Sequence, residues 1–169
     1  MRKVILNLAV SLDGFIEGPN GEFDWCFTDQ DYGMTKFLND TDTIILGRKS
    51  YDVLQTMEGD SFPNHEKLVF SRTLTTVNPP YRLINTAAEE VIDQIRATPG
   101  KNLWLFGGAE LTSTLLVAGL VDEMMLSIHP LLLGSGRPLF TGIQERMYFN
   151  LLRTETFSTG LVQLFYQRK

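Results

Sequence analysis

Cysteine is almost absent. Cys26 stands alone, which excludes an intramolecular disulfide and any cysteine-built zinc cluster, and makes a reducing, cytoplasmic setting the expectation. Histidine is nearly as scarce: His65 and His129 have no partner at metal-ligand spacing, so each is expected to serve structure, and no metal is expected. No apolar run approaches the ~20 residues that cross a bilayer. The opening MRKVILNLAV is basic like a signal peptide, yet it lacks a cleavage pattern and is broken at Asn7, so it is read as a first strand and no membrane partner is expected. Basic residues are outnumbered, 15 Lys and Arg against 20 Asp and Glu, and lie scattered, which argues against nucleic acid as a partner. Neither G-x-G-x-x-G nor G-x-x-x-x-G-K-[ST] occurs, which disfavours standard Rossmann and P-loop sites.

What is present fits one ordinary domain over residues 1–169, with 43% hydrophobic residues to build a core. Strands are expected at Lys3–Val10, Thr43–Leu46, Lys67–Phe70, Arg82–Ile84, Leu103–Phe106 and Glu123–Leu133. Between them, helices are expected from Asp29 to Asn39 (capped by Asp29 or Asp31), from Gly47, from Asn85 or Thr86 to Ala97, and up to Gly119. Alternation in Leu161–Arg168, joined through Ser158-Thr159-Gly160 to Met147–Phe157, gives an antiparallel hairpin. Strands alternating with helices and closed by a hairpin predict an α/β fold: a mostly parallel central sheet with antiparallel C-terminal strands.

The chemistry gathers at strand ends. In Asn102–Asp122 an apolar strand meets Gly107-Gly108 and then a helix; glycine lets backbone approach a bulky ligand, and the helix start offers free N–H groups to a phosphate. The bland alternative is a connection that needs glycine only for its dihedrals. A second such unit carries Arg48, Lys49 and Ser50 directly after Gly47, and cations at a helix N-terminus, where the dipole disfavours them, ask for an anion. Ser71-Arg72 forms a third phosphate-compatible cluster after another strand. Ligands of open parallel sheets bind outside the carboxyl ends, so three such clusters fit one extended, phosphorylated coenzyme. Between Ser11 and Trp25 lies a long glycine-rich loop whose Phe15, Ile16, Phe23 and Trp25 either pack on the core or line a pocket.

Taken in order, SLDGFIEG, LGRKSYD, VFSRT, LFGGAEL and HPLLLGSGRPLF resemble the dihydrofolate reductase-like superfamily. The resemblance spans nearly the whole chain and is closest to the reductase domain of the bifunctional riboflavin-biosynthesis deaminase-reductase. It implies a three-layer dihydrofolate reductase-like fold, NADPH as cofactor and a homodimer paired through the C-terminal strands. By resemblance Gly47, Arg48, Lys49 and Ser50 hold the pyrophosphate, and Ser71 and Arg72 the adenosine 2′-phosphate. Phe106, Gly107, Gly108, Ala109, Glu110 and Leu111 cross the pyrophosphate and nicotinamide side, with Ala9 and Ile16 near the nicotinamide. Two departures stand out: Trp25 is followed by CFTDQD without the proline of folate enzymes, so Asp31 matches their acid loosely, and no P-C-x-x-C deaminase element is present.

The implied activity is hydride transfer from NADPH to a C=N or C=O bond of a small heterocyclic substrate. Asp13 and Asp31 are the candidate catalytic carboxylates, although Asp13 could equally close a turn and Asp31 cap a helix. Trp25 is the candidate for stacking on the substrate and Ser127 for lining the cleft. Dihydrofolate reduction and non-catalytic NADPH binding are the alternatives.

Overall fold

Apolar runs such as Thr43–Leu46 and Leu103–Leu105 leave no face for water, so the strands they form must be covered on both sides. A computed structural model, which describes residues 1–169, shows how this is done. In chain order the elements are β1 (Val4–Ser11), β2 (Phe15–Glu17), α1 (Met34–Asn39), β3 (Thr41–Gly47), α2 (Arg48–Gln55), β4 (Glu66–Phe70) and β5 (Tyr81–Ile84). There follow α3 (Ala88–Ala97), β6 (Asn102–Gly107), α4 (Ala109–Val117), β7 (Glu123–His129), β8 (Arg137–Pro138), β9 (Phe149–Thr156) and β10 (Val162–Arg168).

Eight strands form one sheet in the order β5-β4-β3-β6-β1-β7-β10-β9. All neighbouring pairs from β5 to β7 are parallel, and β10 and β9 close the sheet antiparallel. One face packs Val4, Leu6, Leu103 and Leu105 against Ile92 of α3 and Leu115 and Leu116 of α4. The other packs Ile44, Leu46, Trp104 and Phe165 against Phe37 of α1 and Tyr51 and Leu54 of α2. Each fully buried leucine contributes about 1.5–3 kcal/mol, and Leu105→Ala, at the centre of the first cluster, is expected to cost about 2–5 kcal/mol.

Several elements differ from the sequence expectation. β7 ends at His129, not Leu133, because Pro130 has no N–H for the ladder and Leu131 N–H turns back onto the His129 carbonyl (2.8 Å). α1 starts at Met34, five residues after Asp29, because Tyr32 (φ 49) and Gly33 (φ 77) are left-handed. Neither Asn85 nor Thr86 caps α3: its cap is Ala87, without a side-chain bond, and residues 85–87 run along the cavity rim instead. The loop after β1 contains β2, which pairs antiparallel with β8 across some 120 residues of chain.

Candidate functional site

Parallel strands align their carboxyl ends, so the turns leaving β3, β4 and β6 share one rim. At the β6–α4 turn Gly107 (φ 133) and Gly108 (φ 85) hold conformations that side chains rarely adopt. At the β3–α2 turn, a Cβ added to Gly47 would lie 3.5 Å from the Gly107 carbonyl oxygen and 3.7 Å from Gly108 Cα. The N-termini of α2 and α4 therefore stand side by side, and their unpaired N–H groups and dipoles add at one place. Arg48 pairs loosely with Asp52 at 3.6 Å, while Lys49 and Arg72, both exposed, form no ion pair. Ser71 Oγ accepts the N–H groups of Thr73 (3.2 Å) and Leu74 (3.1 Å), which bends the chain after β4 and holds Arg72 at the rim.

On the face toward α1 the sheet changes character along its strands. Low on this face sit Ile5, Met125, Phe165 and Trp104; toward the carboxyl ends of β1 and β7 the same side carries Asn7, Ala9, Ser127 and Gln163. Register places Ala9 beside Ser127 and Ser127 beside Gln163, a row across three adjacent strands. Gln163, 1% exposed, donates through Nε2 to the Tyr32 carbonyl (2.9 Å) and to Ser127 Oγ (3.1 Å). A carbonyl can only accept, so the amide orientation is fixed, and Gln163 Oε1 is left buried without a partner. Asn7 gives its own carbonyl to Trp104 Nε1 (3.0 Å) and its Nδ2 only to the weak acceptor Met34 Sδ (3.6 Å).

Tyr32, in the turn before α1, stores strain of about 1–3 kcal/mol in its left-handed backbone. It is pinned by its hydroxyl, which contacts Asp29 (2.7 Å) and Thr159 (3.1 Å), and by its ring, edge-on to Phe157. His129, 2% exposed, donates from Nδ1 to the Ser127 carbonyl (3.0 Å) and accepts at Nε2 from Phe27 N–H (3.1 Å). Burial pushes its pKa below the ordinary histidine value, against the Ser127 bond that raises it, so the ring is neutral. It fixes the Trp25–Phe27 segment to the end of β7. Burial, helped by Asp24, pushes the Cys26 thiol up to about 11, so no thiolate is available at neutral pH.

One cavity of about 1190 Å³ joins both regions. Gly47, Arg48, Lys49, Ser50, Ser71, Arg72 and all of Phe106–Leu111 border it, as do Ala9, Ile16, Asp31 and Ser127. Asp31 is exposed and held below the usual carboxylate value by the Thr35 hydroxyl (2.6 Å), then by Thr35 N–H (3.0 Å). The structure does not bring Asp13 or Trp25 to the cavity wall. Asp13 accepts from Ser11 Oγ (2.6 Å) and from the N–H groups of Leu133 (3.1 Å) and Gly134 (2.7 Å), clamping two loops together. Trp25 stands edge-on to His129 at 5.2 Å with its Nε1 buried and unpaired. Sequence reasoning missed Asn7, Tyr32, the rim 85–89 and Gln163 as wall residues; a polar residue at an inward position of a buried strand is the one signal that marks Asn7 and Gln163 beforehand.

The chain is similar to known proteins in sequence and in fold. Two Bacillus subtilis (strain 168) proteins, YyaP and YwjB, both described as uncharacterized, are 46% identical over 177 residues and 33% identical over 173 residues. Those alignments cover 98% and 99% of this chain and 94% and 98% of the relatives. The crystal structure of a putative riboflavin biosynthesis protein from Shewanella sp. PV-4 superposes with a TM-score of 0.88 at 28% identity, over 99% of each chain. A diaminohydroxyphosphoribosylaminopyrimidine deaminase/5-amino-6-(5-phosphoribosylamino)uracil reductase from Thermotoga maritima matches at TM-score 0.75 and 15% identity, covering 99% of this chain and 57% of that one. Dihydrofolate reductase from Enterococcus faecalis, complexed with NADP(H) and RAB-propyl, matches at 0.73 and 16%, over 99% and 96%; at such identities the likeness is of fold. The model of the RibD C-terminal domain matches residues 2–163, and with the dihydrofolate reductase-like sheet this chain belongs to that family.

Proposed function

We propose that the protein is an NADPH-dependent reductase that delivers hydride to a C=N or C=O bond of a small heterocyclic substrate. The observation that carries the reading is the opening of three separated turns, with two adjoining helix N-termini and the ion-pair-free Lys49 and Arg72, onto one cavity. Arg72, just past β4, and Ser127, on β7, lie four strand steps apart, about 19 Å at about 4.8 Å per step, which suits a dinucleotide plus a substrate. Gly107 and Gly108 leave that rim bare of side chains where a pyrophosphate would lie.

In this reading Gly47–Ser50 and the α4 N-terminus hold the pyrophosphate, and Ser71 and Arg72 the 2′-phosphate. Ala9 and Ile16 flank the nicotinamide, which supplies the hydride when bound. The small Ala9 leaves room for a ring above the row of Ser127 and Gln163. Asp31, ionised at neutral pH, orients a substrate N–H rather than donating a proton. Asp13 and Trp25 hold loops in this reading and touch neither ligand. Pairing of two copies through the exposed edge β9, where Leu151 and Leu152 face solvent, is part of the proposal and is checked by light scattering.

The test is NADPH titration followed by substrate screening. Saturation at 100 times Kd is expected to add ~2.7 kcal/mol, visible as a rise in Tm. Absence of any shift removes the reading, and binding without oxidation by folates, pterins or ribosylaminopyrimidines reduces it to a nucleotide-binding protein.

A further inference from the structure

The cavity distributes charge unevenly. Its cations are Arg48, Lys49 and Arg72, at the ends of β3 and β4, and Arg137, which is held by Glu17 at 2.7 Å. On the side of β1, β7 and β10 the one cation is that Arg137, already paired with Glu17, and the carboxylates are Glu17 and Asp31. A phosphate or carboxylate on a substrate would meet no unpaired cation on this side, and moving an anion there without a free partner is costly.

What this side does hold is a neutral, directional hydrogen-bonding floor. Ser127 Oγ already accepts from Gln163 Nε2, and no protein acceptor lies within reach of its own proton, so the hydroxyl is free to donate into the cavity. Gln163 Oε1 is a buried acceptor lacking a donor, on a residue that lines the same space. Nearly every buried polar atom in a folded protein has a partner, so an orphan on a residue that lines the cavity is a position that a ligand atom can complete. A donor beside an acceptor matches one chemical group: a carbonyl next to an N–H, the edge of a lactam or ureide ring. Met34, Phe27 and Trp104 supply apolar walls around it.

We propose that the substrate of this protein is an uncharged lactam-type ring, read by Ser127 and Gln163, and that phosphorylated and carboxylated analogues are rejected. This rests on the reductase reading and narrows it, away from a ribose-phosphate substrate and from a folate tail.

The test uses the NADPH-loaded full chain and two probe pairs: 6-methyl-7,8-dihydropterin against 7,8-dihydrofolate, and 5-amino-6-ribosylaminouracil against its 5′-phosphate. Kd is measured by calorimetry and turnover by NADPH absorbance. The uncharged member of at least one pair is expected to bind about tenfold or more tightly than its anionic partner. Gln163→Met is expected to weaken that probe about tenfold, by removing one buried hydrogen bond, with NADPH affinity unchanged. Should Gln163→Met fail to fold, Ser127→Ala, which leaves the Gln163–Tyr32 bond in place, is expected to give the same selective loss. Equal or tighter binding of the anionic members, no binding of either uncharged probe, or unchanged probe affinity in the variant that folds overturns the proposal. If NADPH itself fails to bind, the reductase reading falls and takes this inference with it; if NADPH binds and the anions win, only this inference falls.

Discussion

Where Gly47, Gly107 and Gly108 meet, the cavity wall is backbone; where Asn7, Ser127 and Gln163 meet, it is buried amide and hydroxyl. The first region draws on groups that every chain has, peptide N–H donors at two helix starts, and adds exposed surface cations. Such a wall recognises charge and tolerates sequence change outside its glycines. The second depends on the identity of individual side chains whose bonds are already partly used, so it recognises the pattern of donors and acceptors. A coenzyme common to many enzymes suits the first kind of wall, and a substrate peculiar to one suits the second.

The largest expected effect tests the backbone wall. Gly108→Val forces a branched side chain into φ 85, ψ 121; strain of about 1–3 kcal/mol and displacement of the α4 N-terminus are expected to raise the Kd for NADPH by up to about 100-fold. Binding within threefold of the wild type would show that this turn does not carry the phosphates. Arg72→Ala comes next: loss of one charged contact is expected to weaken NADPH about tenfold and leave NADH almost unchanged, read by parallel fluorescence titrations. Asp31→Asn is expected to lower kcat/KM for a turned-over substrate with NADPH affinity intact, whereas Asp13→Asn is expected to leave kcat/KM unchanged; a reversed outcome would move the substrate contact to the Asp13 loop.

Away from both walls, Lys67 is 1% exposed and held by Asp60 (2.9 Å) and the Phe62 carbonyl (2.6 Å). Asp60→Asn leaves that ammonium short of a counter-charge and is expected to cost about 2 kcal/mol by denaturant titration, with no change in NADPH affinity. The smallest effect is on pH dependence. Burial holds both His65 and His129 below the ordinary value of 6.5, so the unfolded chain binds more protons than the folded one below that pH. Their stability contribution is complete above pH 6.5 and is lost as pH falls from there, at most about 1.4 kcal/mol per pH unit for each histidine. A flat Tm between pH 7 and about 5 would contradict the neutral, hydrogen-bonded His129 that anchors Phe27.

The difference between the walls also explains what could be read from the sequence. Gly47-Arg48-Lys49-Ser50, Ser71-Arg72 and Gly107-Gly108 are contiguous, and turn chemistry is written in neighbours, so these clusters and the parallel sheet that gathers them were legible. Gln163 meets Tyr32 across 131 residues, and period-two alternation tells which residues of β10 share a side without telling which side faces the cavity. Asp13 illustrates a different obstacle. A carboxylate in a glycine-rich loop after a strand has the same local pattern whether it binds a substrate or, as here, the N–H groups of Leu133 and Gly134 some 120 residues away. The break at Tyr32 is not legible because a tyrosine with positive φ has no sequence signature; its hydroxyl contacts to Asp29 and Thr159, the Gln163 bond to its carbonyl and the Phe157 ring hold it there.

Tyr32 is tied to the hairpin tip at Thr159 and to Gln163 of β10. On the ribosome this sets an order of completion. By the time Gly119 has been added, β1, β3–β6 and the four helices have been synthesised, and with them the turns that in the proposed reading meet the phosphates. The floor of the other half is completed only with Gln163 on the last strand, so in the proposed reading every residue that would meet the coenzyme is synthesised before the last of those that would meet its substrate.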